Sequence, residues 1–242
     1  MQIVILCGGV ATRLRPITNK IPKAMVEIEG RPFLEYQLEL LKKNAIKNIV
    51  LCIGYKGEQI KKYFGDGRKF GVKIRYSQEK KKLLGTGGAL KKASNLLEDI
   101  FLVMYGDSYL PFDFQKTTNY FKKFQKLGLM TVYKNLNKYE PSNVVVKGKF
   151  VVDYNKKRRN KKMKYIDYGV SIFRKEALKF LPDDRTCELS LLHKALIKRG
   201  ELLAYRVRRR FYQVGDFAGL AEFRLNLKRK CKFDKISPEM IE

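Results

Sequence analysis

Two stretches carry side chains suited to binding phosphate. The apolar run Gln2 to Cys7 stops at Gly8-Gly9, and Thr12, Arg13, Arg15 and then Pro22-Lys23 follow. Glycines at a strand end let backbone N–H groups close on an anion. Arg13, Arg15 and Lys23 add positive charge where phosphates would lie. A glycine turn with incidental basic neighbours is the ordinary alternative, and the order Thr12, Arg13, Lys23 weighs against it. Further along, the apolar run Ile100 to Tyr105 breaks at Gly106-Asp107, which places a carboxylate at a strand end. Ligands bind in that position in open α/β sheets. A turn or helix-capping Asp is the competing reading. His193 is the sole histidine, so His-dependent metal sites and most Ser/His or Cys/His nucleophile schemes lack their parts.

The glycine loop is neither a Walker A loop (G-x4-G-K-[ST]) nor a G-x-G-x-x-G dinucleotide fingerprint. Gly8-Gly9-x-x-Thr12-Arg13-Leu14 followed by Pro22-Lys23 instead resembles the signature of the sugar-1-phosphate nucleotidyltransferases, also called nucleotide-sugar pyrophosphorylases. Leu84-Gly85-Thr86-Gly87-Gly88-Ala89, Gly106-Asp107-Ser108, Tyr165-Ile166-Asp167-Tyr168-Gly169-Val170 and Phe211-Tyr212-Gln213-Val214-Gly215 with Leu220 follow in family order. Arg31-Pro32-Phe33-Leu34-Glu35-Tyr36 is similar to the short branch containing heptose-1-phosphate guanylyltransferases.

The resemblance implies that an NTP and a sugar 1-phosphate give an NDP-sugar and pyrophosphate. No covalent intermediate is needed, so catalysis reduces to positioning and neutralising spreading negative charge. It implies Mg²⁺ as cofactor, held by Asp107 and a second ligand from the terminal motif. Mg²⁺ takes one or two carboxylates and completes its shell with waters and phosphate oxygens. Arg13 would sit over the leaving pyrophosphate and Lys23 on the α-phosphate or sugar phosphate, so Arg13, Lys23 and Asp107 form the implied catalytic set. Leu6, Gly8, Gly9, Thr12, Arg13, Gly85, Thr86 and Asp107 would contact the nucleotide. Either Gln78 or Glu79 would touch the base edge: a buried Glu suits guanine, a Gln suits a pyrimidine. Lys23, Asn143, Lys156, Asp167 and Gly169 would hold the sugar phosphate.

The chain departs from the pattern at three places. Gln213 stands where the family usually has Asp, Glu or Asn, so the second metal ligand is uncharged; Asp216 is acidic but out of register. Asn155 precedes Lys156 where an acidic residue is common. Ala11 replaces a glycine, and its Cβ is tolerable if its φ is negative.

Placing these residues requires a layered scaffold. Gln2 to Cys7, Asn48 to Ile53, Lys73 to Tyr76 and Ile100 to Tyr105 read as strands, and Pro32 to Asn44, Gly57 to Phe64 and Gly88 to Leu97 as helices between them. That β-α alternation predicts a three-layer αβα sandwich with a mixed, mostly parallel sheet, Rossmann-like and similar to nucleotide-diphospho-sugar transferases. Phe114 to Leu127 reads as a helix. Strand-like pieces follow at Leu129 to Tyr133, Asn143 to Val146, Phe150 to Tyr154, Asp167 to Phe173 and Leu203 to Val207. Glu188 to Arg199 and Phe217 to Lys230 read as helices, with His193 a surface or core residue. With no linker or repeat, 242 residues are expected to form one domain, 1–242.

The net charge of +28 predicts attraction to polyanions. Nucleic-acid binding is not expected, because no module interleaves aromatics with the basic runs Lys156 to Lys162 and Arg206 to Arg210. Arg206, Arg208 and Arg210 alternate as on a solvated strand face. No 18-residue apolar stretch exists, so no membrane span is expected, and MQIVILCGG does not read as a signal peptide. Cys7, Cys52, Cys187 and Cys231 lack CxxC spacing, which points to a reducing cytoplasm. The sequence leaves a homo-oligomer open. The competing functions are a cytidylyltransferase acting on a non-sugar phosphate, a catalytically weakened regulatory or binding subunit of the same fold, and a nucleic-acid-binding module.

Overall fold

The computed structural model describes residues 1–80, 82–158 and 160–236. Arg159 of the first basic run and the last six residues of the expected domain lie outside them.

Nine strands form one sheet: β1 Gln2–Leu6, β2 Asn48–Ile53, β3 Lys73–Gln78, β4 Ile100–Tyr105, β5 Gly128–Lys134, β6 Val144–Lys147, β7 Phe150–Tyr154, β8 Tyr165–Arg174 and β9 Leu202–Val207. Their spatial order is β3-β2-β1-β4-β8-β5-β9-β7-β6. β3, β2, β1 and β4 pair in parallel, as crossover helices require, and β9 pairs in parallel with β5. β7 and β8 run against the other strands. The sheet is therefore mixed with one dominant direction.

Strand periodicity sorts the core into two layers. Ile3 and Ile5 of β1 face the helices Phe33–Lys43, Gly57–Phe64 and Phe114–Lys122 through Leu34, Leu38, Ile60, Phe64, Phe114 and Phe121. Val4 and Leu6 face the helices Gly85–Lys92 and Leu189–Lys198 through Ala89, Leu90, Leu192 and Leu196. Burial on both faces is what a near-continuous Ile/Val/Leu run encodes, and it fixes three layers.

A third cluster ties the chain ends together. Phe223 of the helix Phe217–Ile236 is fully buried and meets Phe33 and Tyr36 edge-on at 5.4 and 5.7 Å. Leu14, Val26 and Val214 pack in the same cluster. The glycine-loop segment is thereby held against the C-terminal segment.

Several boundaries differ from expectation. The helix expected to end at Leu127 stops at Lys122, and the one expected from Gly88 starts at Gly85, whose φ of +71° suits glycine. Arg210 does not belong to a solvated strand face: it lies beyond the strand's end at Val207, is half-buried, pairs with Glu222 and lies 3.8 Å from the centre of the Tyr139 ring.

His193 is a core residue. It is fully buried, with its Nε2 2.9 Å from Ser171 Oγ. Its Nδ1 has no hydrogen-bond partner among the described residues. Burial above all lowers its pKa to about 4, overcoming an upward pull from the Asp167 charge, with a smaller further lowering from Lys156. The unfolded chain, titrating near 6.5, then binds an extra proton between pH 6.5 and 4, so folding stability falls as pH drops through that window. Between pH 7 and 5 this one group should remove about 2 kcal/mol. Urea unfolding at both pH values should show that increment in the wild type and not in His193→Gln. An equal fall in both proteins would contradict it.

Candidate active site

Strand ends of β1 and β4 bring the first residues together. Gly106 N–H donates to the Leu6 carbonyl at 2.9 Å, joining the two strand ends. The turn that follows is clamped twice. Gln37, fully buried, donates from Nε2 to the carbonyls of Tyr105 and Ser108. Val214 N–H donates to the Asp107 carbonyl at 2.7 Å, and Gln213 pairs with Ser108 in a two-stranded ribbon.

Lys23 opens a 3₁₀ turn whose next residue, Ala24, is fully buried. Its Nζ donates to Asp107 Oδ2 at 3.0 Å, and Ser108 Oγ donates to Oδ1 at 3.2 Å. Burial pushes the Asp107 carboxyl up, but the Lys23 charge and these hydrogen bonds outweigh it and leave it below the ordinary carboxylate range. Asp107 is thus ionised at neutral pH.

Two cavities flank this pair. The first, about 180 Å³, is lined by Leu6, Gly8, Gly9, Glu79, Gly85 and Thr86, together with Leu83, Ala89 and Glu188. Its long sides are apolar and its polar groups include two carboxylates. Glu79 accepts from Leu84 N–H through Oε1 at 2.6 Å, and burial raises its pKa. Gly8 is required here, because an added Cβ would lie 2.7 Å from Glu79 Oε2 and 3.1 Å from Gly54 N. Gln78 is not brought to the cavity: alternation along β3 turns its amide outward to Glu58.

The second cavity, about 260 Å³, gathers Arg13, Asp107, Asn143, Lys156, Asp167, Gly169 and Gln213. Tyr105, Glu140, Pro141, Ile166, Tyr168 and Phe211 complete its wall. Asp167 accepts from Tyr154 Oη at 3.1 Å and from Gly169 N–H at 3.0 Å, while Asn143 Oδ1 accepts from Asp167 N–H. Gly169 has φ +106°, at the point where β8 loses register with β5. The Lys156 ammonium lies 4.9 Å from the centre of the Tyr105 ring. Thr12 is exposed and begins a 3₁₀ turn outside both linings.

Gln213 shares the Asp107 cavity and Asp216 does not. Asp216 instead pairs with Arg13 at 3.2 Å and accepts from Gly219 N–H at the start of the C-terminal helix. Among the described residues, no group of three or more His, Cys, Asp or Glu could hold a metal unaided. A single carboxylate beside a neutral amide oxygen fits Mg²⁺ that keeps waters and takes substrate phosphate oxygens. It does not fit an all-protein cage.

Glu188 had no sequence signal. An acid at the first position of the expected helix Glu188 to Arg199 reads as an ordinary partner of the helix dipole, and its place in the first cavity depends on packing 102 residues away against Thr86.

A mixed αβα sandwich whose glycine loop, paired lysine and cleft carboxylate meet at the carboxyl ends of the strands has the architecture of a Rossmann-like transferase. The chain belongs to the nucleotidyl transferase family, whose model matches residues 2–230. It is 47% identical over 116 residues to D-glycero-alpha-D-manno-heptose 1-phosphate guanylyltransferase of Campylobacter jejuni, covering 48% of this chain and 52% of that protein. It is 31% identical over 210 residues to UTP–glucose-1-phosphate uridylyltransferase of Synechocystis, covering 78% and 53%. The chain thus spans about half the length of these curated relatives. Among solved structures, HddC from Yersinia pseudotuberculosis complexed with GMP-PN is 25% identical with a TM-score of 0.77, covering 93% of this chain and 99% of that one. UDP-glucose pyrophosphorylase from Acinetobacter baumanii, 17% identical with a TM-score of 0.81 over 97% of each chain, shares the fold.

Ala11 overturns one expectation. Its φ is +52° and ψ +51°, in the left-handed region, held by Thr18 Oγ1 donating to its carbonyl. A Cβ there costs about 1 kcal/mol or more. Ala11→Gly should therefore raise unfolding stability by about 1 kcal/mol in urea titration. An unchanged midpoint would show that the loop relaxes.

Proposed function

We propose that this protein transfers the guanylyl group of GTP to a sugar 1-phosphate, releasing pyrophosphate, with Mg²⁺ as cofactor. The observation that carries the choice of base is Glu79, which faces the first cavity while Gln78 turns away. Guanine presents two adjacent donors, N1–H and the N2 amino group, and a carboxylate accepts both. Uracil and thymine flank a single N–H with carbonyls, which a carboxylate repels. The guanylyltransferase names of relatives and the GMP-PN in the Yersinia structure support the same reading.

In this reading the second cavity takes the sugar phosphate. An oxygen of that phosphate forms a new bond to the α-phosphorus as the α–β bridge breaks, and the electron pair leaves on pyrophosphate. Lys23 moves from Asp107 to phosphate oxygen as substrate enters, exchanging one anion for another. Arg13 leaves the exposed Asp216 carboxylate to meet charge growing on pyrophosphate. Asp107 and the Gln213 amide oxygen would hold Mg²⁺, which supplies charge neutralisation at the phosphates. Asn143, Lys156, Asp167 and Gly169 orient the sugar.

Thermal shift with GTP, CTP, UTP, dTTP and ATP tests the base assignment, because a ligand that binds only the native state raises its stability. GTP should give the largest shift. Glu79→Gln should cut kcat/KM for GTP about tenfold or more, the scale of a hydrogen bond to a charged group. A dominant response to CTP or UTP would sink the assignment, and CTP turnover with a non-sugar phosphate would favour the cytidylyltransferase. Binding with no pyrophosphate release for any acceptor would favour the weakened subunit.

Asp107→Asn should lower kcat more than about tenfold, a loss above ~1.4 kcal/mol, with an unaltered far-UV CD spectrum. Near-wild-type turnover against Mg²⁺ concentration would remove Asp107 from the metal site.

A further inference from the structure

Glu188 contributes a carboxylate to the first cavity that base recognition by Glu79 does not use. It occupies the cap position of the helix Leu189–Lys198. Its Oε2 accepts from Thr86 Oγ1 at 2.7 Å, and Thr86 Oγ1 itself accepts from Leu189 N–H at 2.8 Å. A hydroxyl has one proton, so the incoming N–H directs that proton onto Glu188 and fixes the carboxylate. Oε1 is left without a hydrogen bond among the described residues. Gly85 keeps the space beside it open, since an added Cβ would stand 3.1 Å from Oε1.

The position along a bound nucleotide follows from neighbours. Glu188 lines the cavity that Glu79 also lines, while Tyr105 lines the cavity holding Asp107. Glu188 also heads the helix whose His193 meets Tyr154 at 5.4 Å, and Tyr154 Oη donates to Asp167 in that second cavity, so the start of this helix stands between the two cavities. Glu188 therefore lies on the side of the base cavity that faces the phosphate-binding centre. Between a base and its phosphates is the ribose.

We propose that Glu188 accepts a hydrogen bond from the ribose 2′-hydroxyl and selects ribonucleoside over 2′-deoxyribonucleoside triphosphates. The proposal rests on the nucleotidyl-transfer reading of the site. A carboxylate fixed by Thr86 gains a donor from the ribonucleotide and none from the deoxy analogue, and a group left unpaired is what discriminates.

The test compares GTP with dGTP for the wild type, Glu188→Gln and Glu188→Ala, by pyrophosphate release and by thermal shift. Wild type should favour GTP in kcat/KM by about 10- to 100-fold, the range for a hydrogen bond to a charged group. Glu188→Ala should bring the ratio to within about threefold of unity, chiefly by losing GTP. Glu188→Gln keeps the size and the Thr86 contact and should fall between. An equal loss for both nucleotides would overturn the proposal, because it would mark Glu188 as a mere support for Thr86. A wild type indifferent to the 2′-hydroxyl would overturn it too. If another NTP proves to be the substrate, the same ratio is read with that nucleotide and its deoxy form. Failure of every nucleoside triphosphate to stabilise the protein would remove the proposed function and this inference with it; an unmoved ratio with a bound nucleotide would remove the inference alone.

Discussion

The Lys23–Asp107 ion pair is the interaction around which the site is arranged. Its members are 84 residues apart and both side chains are only about one-fifth exposed. A largely shielded carboxylate is costly without a partner, and a largely shielded ammonium equally so. The surroundings hold them together. Gln37 clamps the turn that carries Asp107, Val214 ties that turn to the terminal ribbon, and the buried Ala24 anchors the turn that carries Lys23. The third core cluster, with Phe223 between Phe33 and Tyr36, keeps those supports in one place.

Charge is sorted by position in a protein that is strongly basic overall. Around the pair the cations Arg13, Lys23 and Lys156 meet Asp107 and Asp167, so an arriving phosphate can exchange with a carboxylate without leaving a cation bare. The first cavity has the opposite character, with apolar sides and the carboxylates of Glu79 and Glu188. The proposed substrate GTP has that same polarity: hydrogen-bond donors on guanine and ribose at one end, negative charge on phosphate at the other. The net charge of +28 by itself does not account for a cavity that carries two carboxylates.

The first half of the fold is legible because its strands are buried on both faces. Asn48–Ile53, Gly57–Phe64 and Ile100–Tyr105 have the limits that their apolar runs and flanking glycines indicate. The helix after Asp113 ends early because Lys122 and Lys123 face water and the following residues turn toward β5. The small ribbon of Ser108–Tyr109 with Tyr212–Gln213 has no signal at all, since two residues carry no periodicity.

The sequence by itself determined the αβα layering, through strands apolar on both faces and helices apolar on one. It also determined which loops carry phosphate-binding residue types, because those loops follow strands whose ends must lie on one edge. Only tertiary structure decided between neighbours. Gln78 and Glu79 are adjacent and equally polar, and the pleat that turns one outward and the other into the cavity depends on the pairing of β3 with β2. The sign of φ at Ala11 was likewise set by closure of the loop onto Thr18. Glu188 entered the cavity through packing of one crossover helix against another. Residue type and spacing are local properties, whereas the direction of a side chain is settled by contacts from distant parts of the chain.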